Sequence, residues 1–205
     1  MDVRTALNQR RAVKQFDVEH EINDEQLQEL FEPVLLTPTS YNLQHYRFVV
    51  VRSKERKLEL CEASFNQRQV SDCSAVIVVT SKLSAHEDAT VIYDHLPEET
   101  TARLVGMIES FYGDAPQLQH DEAMRSGSLA AMTLMLVASE MGWDTCPMIG
   151  YDPAKVSQIL SIPTDHITVM MICLGKAANT QRERAARYQL SEVVSLEGFS
   201  GPPLK

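Results

Sequence analysis

SLAAMTLMLVASEM, residues 128–141, is the stretch on which the fold turns, because its apolar side chains do not keep to one face. Leu129, Met132, Leu134, Met135, Leu136 and Val137 ring a helix of that length almost completely. A helix that is apolar all round must be covered all round. This one is expected to be buried on every side, either at the centre of a core or as half of a subunit interface.

Working outward, residues 22–36 read as an amphipathic helix. Leu27, Leu30, Phe31, Val34 and Leu35 recur at helical spacing, Asn23 and Gln26 can form a capping box, and Ile22 can staple against Leu27. Pro33 predicts a kink or an early end there, since it lacks an amide hydrogen and crowds the preceding turn. Residues 46–51 (YRFVVV), 75–80 (AVIVVT) and 167–174 read as buried strands. Ser53 can cap a short helix reaching about Ala63, and residues 84–120 are mixed, acidic and only loosely helical.

The chain has 205 residues, 23.0 kDa, with 44% hydrophobic and 23% charged residues, as expected of one folded domain over residues 1–205. A formal net charge of -9 and a pI near 5.1 oppose attraction to nucleic acid or an anionic membrane surface. No apolar run is long enough for a spanning helix and the N-terminus lacks a signal-type stretch, so a cytoplasmic protein is expected. Cys61, Cys73, Cys146 and Cys173 are unpaired in spacing and read as reduced, buried thiols, while the six histidines show no metal-ligand spacing.

Against the acidic background, Arg10, Arg11 and Lys14 fall within five positions, just before Phe16. If the segment is helical, Arg10 and Lys14 share a face. Guanidinium forks suit a phosphate and a lysine adds a point charge, although a solvated helix end would use the same residues. Arg182, Arg184 and Arg187 form a second basic cluster that could close on the same phosphate or only solvate a tail. Pro38, Thr39, Ser40, Asn42 and Gln44 put short polar groups on a loop between helix and strand, where a ligand contact and a plain turn are both open readings. Asn66, Arg68 and Gln69 precede the second strand and could offer an amide to a heterocycle edge. Cys146, Pro147, Met148, Ile149 and Gly150 follow the apolar helix, with Gly150 permitting a close backbone approach or simply a helix-to-loop exit. No dinucleotide fingerprint, phosphate-binding loop or nucleophile motif is present.

Taken in order, these segments resemble the FMN-dependent nitroreductase family over nearly the whole chain. The resemblance rests on A-L-x-x-R-R-A-V-K-x-F at residues 6–16, T-P-T-S-Y-N-L-Q at 37–44, and R-F-V-V-V at 47–51. It extends to Asn66, P-M-I-G-Y-D at 147–152, and R-x-x-L-S-E-V-V at 187–194. It implies an α+β fold, a central mixed sheet flanked by helices, in an interlocked homodimer with FMN at the interface. It further implies that Arg10, Arg11 and Arg187 hold the FMN phosphate, with Arg184 helping. Lys14 and Asn66 would face the N1 and O2 edge of the flavin, with Gln69 nearby. The segment Pro147 to Gly150, through the amides of Ile149 and Gly150, would meet N5 and O4, and Pro38, Thr39, Ser40 and Asn42 would come from the other subunit.

The activity so implied is an NAD(P)H oxidoreductase with NADH or NADPH as donor, reducing nitroaromatics, quinones or related conjugated acceptors by ping-pong hydride transfer. A selective enal, enone or semialdehyde reductase and a non-catalytic flavin-binding protein are the alternatives. The flavin does the chemistry, so no catalytic side chain is expected. Two positions depart from the family pattern: His45 and Tyr46 stand where Pro-Trp commonly follows the glutamine, and Gln69 stands where relatives can carry a lysine.

Overall fold

The computed structural model describes residues 1–180 and 183–204. Its frame is a four-stranded sheet of β1 (Tyr46–Val51), β2 (Ala75–Lys82), β3 (Asp144–Met148) and β4 (His166–Gly175), in the order β1-β2-β4-β3. Every neighbouring pair is antiparallel, so the expected mixed sheet is corrected in its detail: a single parallel bridge, Ala12 with Thr145, adds the only parallel pairing among the described residues. The α+β class stands. β3 was not foreseen as a strand, because Asp144 and Pro147 dilute its pattern; Pro147 is tolerated since β3 is the edge of the named sheet.

Strand alternation builds two cores. Val76, Val78, Met171 and Cys173 face one way, against Leu60 of α3 (Lys54–Ala63) and Val156 of α8 (Pro153–Leu160). Ala75, Ile77, Val79, Ile172 and Leu174 face the other way, against Leu30 and Val34 of α2 (Asp24–Val34) and α7 (Pro116–Glu140). The start of α2 is as expected: Asn23 accepts from the Gln26 amide at 2.8 Å and Gln26 accepts from the Asn23 amide at 3.1 Å. Its end is the early one that Pro33 predicted. With Pro33 one residue from the end, the helix stops at Val34, and Leu35 and Leu36 are left exposed.

α7 is longer than its apolar stretch, since Pro116 supplies a first-turn start that the mixed sequence before Ser128 concealed. Ala130, Ala131, Leu134 and Ala138 are fully buried under the sheet. The expectation of burial on every side is not met within one chain: Leu129 is 50% exposed, and Met132, Thr133 and Leu136 are only partly covered. Gly127 lets the helix lie this close, because a Cβ there would stand 2.5 Å from Val169 Cγ2.

Between β2 and α7 the chain makes a short turn at Ala85–Asp88, then α5 (Ala89–Ile92) and α6 (Glu98–Tyr112). These build a third, small core in which Ala85, Ala89, Ile108 and Tyr112 enclose Leu43. That packing fixes the loop at residues 38–44 from below. α4 (Gln69–Asp72) precedes β2, and α9 (Leu190–Val193) lies in an exposed C-terminal arm. Among the described residues no helix is long and apolar enough to cross a membrane.

Candidate active site

α1 (Val3–Gln9) ends where the site begins. Arg10 is its C-cap, with φ -52° and ψ 129°, and from there the chain runs extended. Val13 donates to the Thr145 carbonyl at 3.0 Å, while Asp17 donates to Lys176 and Ala178 donates to Gln15. Residues 10–17 are therefore threaded between the start of β3 and the chain leaving β4. The helical face shared by Arg10 and Lys14 does not exist: backbone pairing on both sides outcompetes another helical turn, and extended geometry aims the cations differently. Gly175 makes the threading possible, since a Cβ would stand 2.7 Å from Phe16 Cδ1.

This path brings the two basic clusters together. Arg10, Arg11, Lys14, Arg184 and Arg187 line one cavity of about 440 Å³, with Gln15, Asn179, Thr180 and Glu183 completing much of its wall. Arg182 lies outside the described residues. Arg184 is held by carbonyls, its Nη2 donating to Leu7 at 2.6 Å and to Arg10 at 3.0 Å. Arg11 likewise donates to the Arg10 carbonyl at 3.0 Å, and Arg187 to that of Ala186 at 3.0 Å. Arg10 keeps a buried Nε with no partner. Among the described residues none of these five cations forms an ion pair. The Arg184 guanidinium is lowered from its usual pKa, first by desolvation and then by the charges of Arg11, Arg187 and Arg10. Crowded positive charge that meets carbonyls but no carboxylate ion-pair partner among the described residues can accept an external anion.

Lys14 stands beside Cys146: burial raises that thiol's pKa, while the lysine's charge and hydrogen bond pull it down. Further along β3 the ladder ends at Met148, so the amides of Ile149 and Gly150 lie beyond the last strand pair. Ile149 is 79% exposed. Gln67 Nε2 donates to the Gly150 carbonyl at 2.8 Å and Gln69 Nε2 donates to Gln67 Oε1 at 2.9 Å, tying this exit to the turn before β2. Pro147 is half-buried in β3 rather than on a helix exit. Asn66 is exposed in that turn with φ 56°, its amide donating to Cys61. Gln69 is not on an open loop: it begins α4, is buried, and touches Met148 Sδ at 3.6 Å. The anchoring role of Gln67 was missed in the sequence, where its amide stood unremarked between Asn66 and Gln69.

Pro38, Thr39, Ser40 and Asn42 do not line this cavity. Their loop is held elsewhere: Thr39 Oγ1 accepts from the Gln44 amide at 2.9 Å, Tyr112 donates to Ser40 Oγ at 2.7 Å, and Asn42 adopts φ 49°. Beneath it His45 is 2% exposed, and His45 Nδ1, Ser81 Oγ, His86 Nδ1 and Thr37 Oγ1 are buried without partners. Glu122 accepts from Ser126 Oγ at 2.9 Å in the same region.

The molecule is an α+β protein whose cation-lined cavity lies where the N-terminal segment meets the C-terminal arm. Residues 7–176 match the model of the nitroreductase family. DrgA of Synechocystis sp. is 41% identical, over 86% of this chain and 84% of its own length. MhqN of Bacillus subtilis, assigned as an NAD(P)H nitroreductase, is 39% identical over 92% of this chain and 95% of its own. A protein of Exiguobacterium sibiricum, assigned as a nitroreductase and solved in complex with FMN, superposes with a TM-score of 0.88 at 30% identity, over 95% of this chain and 97% of that one. CLA-ER, an enone reductase of gut-bacterial fatty acid saturation, superposes with a TM-score of 0.88 at 26% identity, over 96% and 98% of the two chains. The chain belongs to the nitroreductase family and is an oxidoreductase of that type.

Proposed function

We propose that the protein is a single-domain, homodimeric, FMN-dependent NAD(P)H oxidoreductase that reduces nitroaromatic, quinone or related conjugated acceptors by a ping-pong cycle. The observation that carries this reading is the set of five unpaired cations around one cavity, with the buried, partnerless Nε of Arg10 among them. A terminal phosphate fits that set, because its oxygens accept from several forked donors at once. Arg10, Arg11, Arg184 and Arg187 would hold it. Bound FMN supplies the hydride and electron transfer that no side chain here provides.

Lys14 and Asn66 would lie along the N1 and O2 edge, where a fixed positive charge favours the reduced, anionic form. The strand exit at Pro147 and Met148 would set the ring plane, with the Ile149 and Gly150 amides directed at N5 and O4. Gln69 would stabilise this exit through Gln67 and Met148 without adding charge.

Dimerisation is supported by apolar surface that one chain leaves bare. Tyr188 is 79% exposed, Val193 62% and Phe199 100% on the C-terminal arm, and Leu129 is half-exposed on α7. Covering these with a second copy also brings the residue 38–42 loop within reach of the partner's cofactor. Sedimentation should give one species at twice the chain mass. Cofactor released by denaturation should have the mass of FMN, and the bound yellow colour should bleach with NADH or NADPH. Recovery of FAD, or of no flavin after reconstitution, would overturn the proposal.

A further inference from the structure

The α6 helix shows an outward face that its own fold does not use. Arg103, Gly106, Met107, Ser110 and Phe111 follow one another at helical spacing and, with Tyr41, enclose an open groove of about 470 Å³. Phe111 is 52% exposed and Met107 46% exposed. The Tyr41 ring stands 6.3 Å from that of Phe111, which in turn meets Tyr112 edge-on at 4.9 Å. Tyr41 lies between Ser40 and Asn42, on the loop assigned above to the partner's FMN. Its φ of 47° is a left-handed conformation uncommon for an aromatic residue. If that loop reaches the partner's FMN in the proposed dimer, the groove opens beside the acceptor's entry.

Two details set its chemistry. Gly106 sits mid-helix, where glycine weakens a helix by about 1 kcal/mol relative to alanine, yet a Cβ there would meet nothing within 4 Å. No neighbour in the chain requires the missing side chain; what it leaves open is the floor of the groove. Arg103 forms no ion pair among the described residues and leans on the Met107 sulfur at 3.8 Å, its charge at the rim of an aromatic and thioether slot. Against a net charge of -9, a lone arginine at the rim supplies a local point of attraction for an anionic substituent.

We infer that this groove selects the acceptor: a planar aromatic carrying an anionic substituent, its ring lying on Tyr41, Met107 and Phe111 and its carboxylate or phenolate meeting Arg103. The inference rests on the proposed flavin chemistry and names the substrate class of that same site. Arg103 is then a specificity residue rather than a catalytic one.

The test compares 4-nitrobenzoate with 4-nitrobenzamide on the FMN-loaded protein and its Arg103→Gln, Arg103→Lys and Gly106→Leu variants. Calorimetric Kd values are measured without NAD(P)H and kcat/KM values with it. The parent should prefer the carboxylate. Arg103→Gln should cut that preference about fivefold, the scale of one exposed charge pair. Arg103→Lys should restore most of it, and added salt should erode it in the parent only. Gly106→Leu should fill the groove and weaken both ligands alike. Bleaching of the flavin by NAD(P)H should be unchanged throughout. A preference equal in parent and Arg103→Gln, with flavin bound and reducible, overturns this inference alone, as does a slowed bleaching that would place Arg103 on the nicotinamide donor. Absence of FMN from the parent overturns the functional reading beneath it.

Discussion

The cation-lined corner and the polar pocket under the residue 38–44 loop both hold buried atoms with no partner, yet they differ in kind. In the corner the unpartnered buried atom is Arg10 Nε, one of several cations facing a cavity with no carboxylate ion-paired to them among the described residues. Beneath the loop the unpartnered atoms are imidazole nitrogens and hydroxyls, with Glu122 close enough to raise the His45 pKa while burial, the dominant cause, lowers it. The first arrangement would be completed by an anionic ligand from outside. The second includes His45, whose burial disfavours its charged form. Unpaired polarity thus points to a binding site only when the charge cannot be discharged by losing a proton.

The largest expected effect breaks the corner. Arg10→Ala should weaken FMN binding by roughly ten- to a hundredfold, the equivalent of about 1.5–3 kcal/mol for one charge-assisted contact. The folding stability of the flavin-free protein should hold or rise, because one of several crowded charges is removed. Equal affinity by fluorescence titration, or a large loss of apo stability, would make the cluster a structural feature instead.

The pocket under the loop should answer to pH. The folded-state pKa of His45 lies below its ordinary value, chiefly through desolvation. The unfolded chain therefore binds this proton first, and stability is full above the ordinary histidine pKa and lost as pH falls through it and below. The loss is at most about 1.4 kcal/mol per pH unit for one proton. His86, Glu122 and Arg47 also act on this imidazole, so denaturation midpoints are compared between the parent and His45→Gln across pH 5–8 (roughly the histidine range). A slope that survives His45→Gln would assign the effect to another group.

The smallest expected effect separates two cations of the corner. Lys14→Ala should leave oxidised FMN bound nearly as before but make its midpoint potential more negative, by about 20 mV if the charge is worth close to 1 kcal/mol at its exposed position. An unchanged potential would return Lys14 to the phosphate end.

Strands β1, β2 and β4, the α2 cap and the Ser53 cap of α3 were legible in the sequence, because each is set by neighbours a few residues apart. The Arg10 and Arg11 pair was legible as charge, but its backbone was not, and the helical case the sequence left open is not the one adopted. What stops α1 at Gln9 is pairing with Thr145 and Lys176, which no local window contains. β3 was hidden by Pro147, and α6 by a sequence with little periodicity. The convergence of Arg184 with Arg10 was raised only as one of two possibilities, since tail and ligand arm share one composition. Gln69, read as an open amide, is buried because α4 turns it toward Met148.

The contact from Arg184 to the Arg10 carbonyl closes a separation of 174 residues, nearly the whole chain. A ribosome adding roughly 5–20 residues per second needs on the order of 10–35 s to travel between them. Throughout that interval the nascent protein has Arg10 and Arg11 but not the arm that completes the cavity. If the proposed phosphate site holds, a chain released before Arg187 lacks its second half, and flavin binding would report that synthesis had passed that residue.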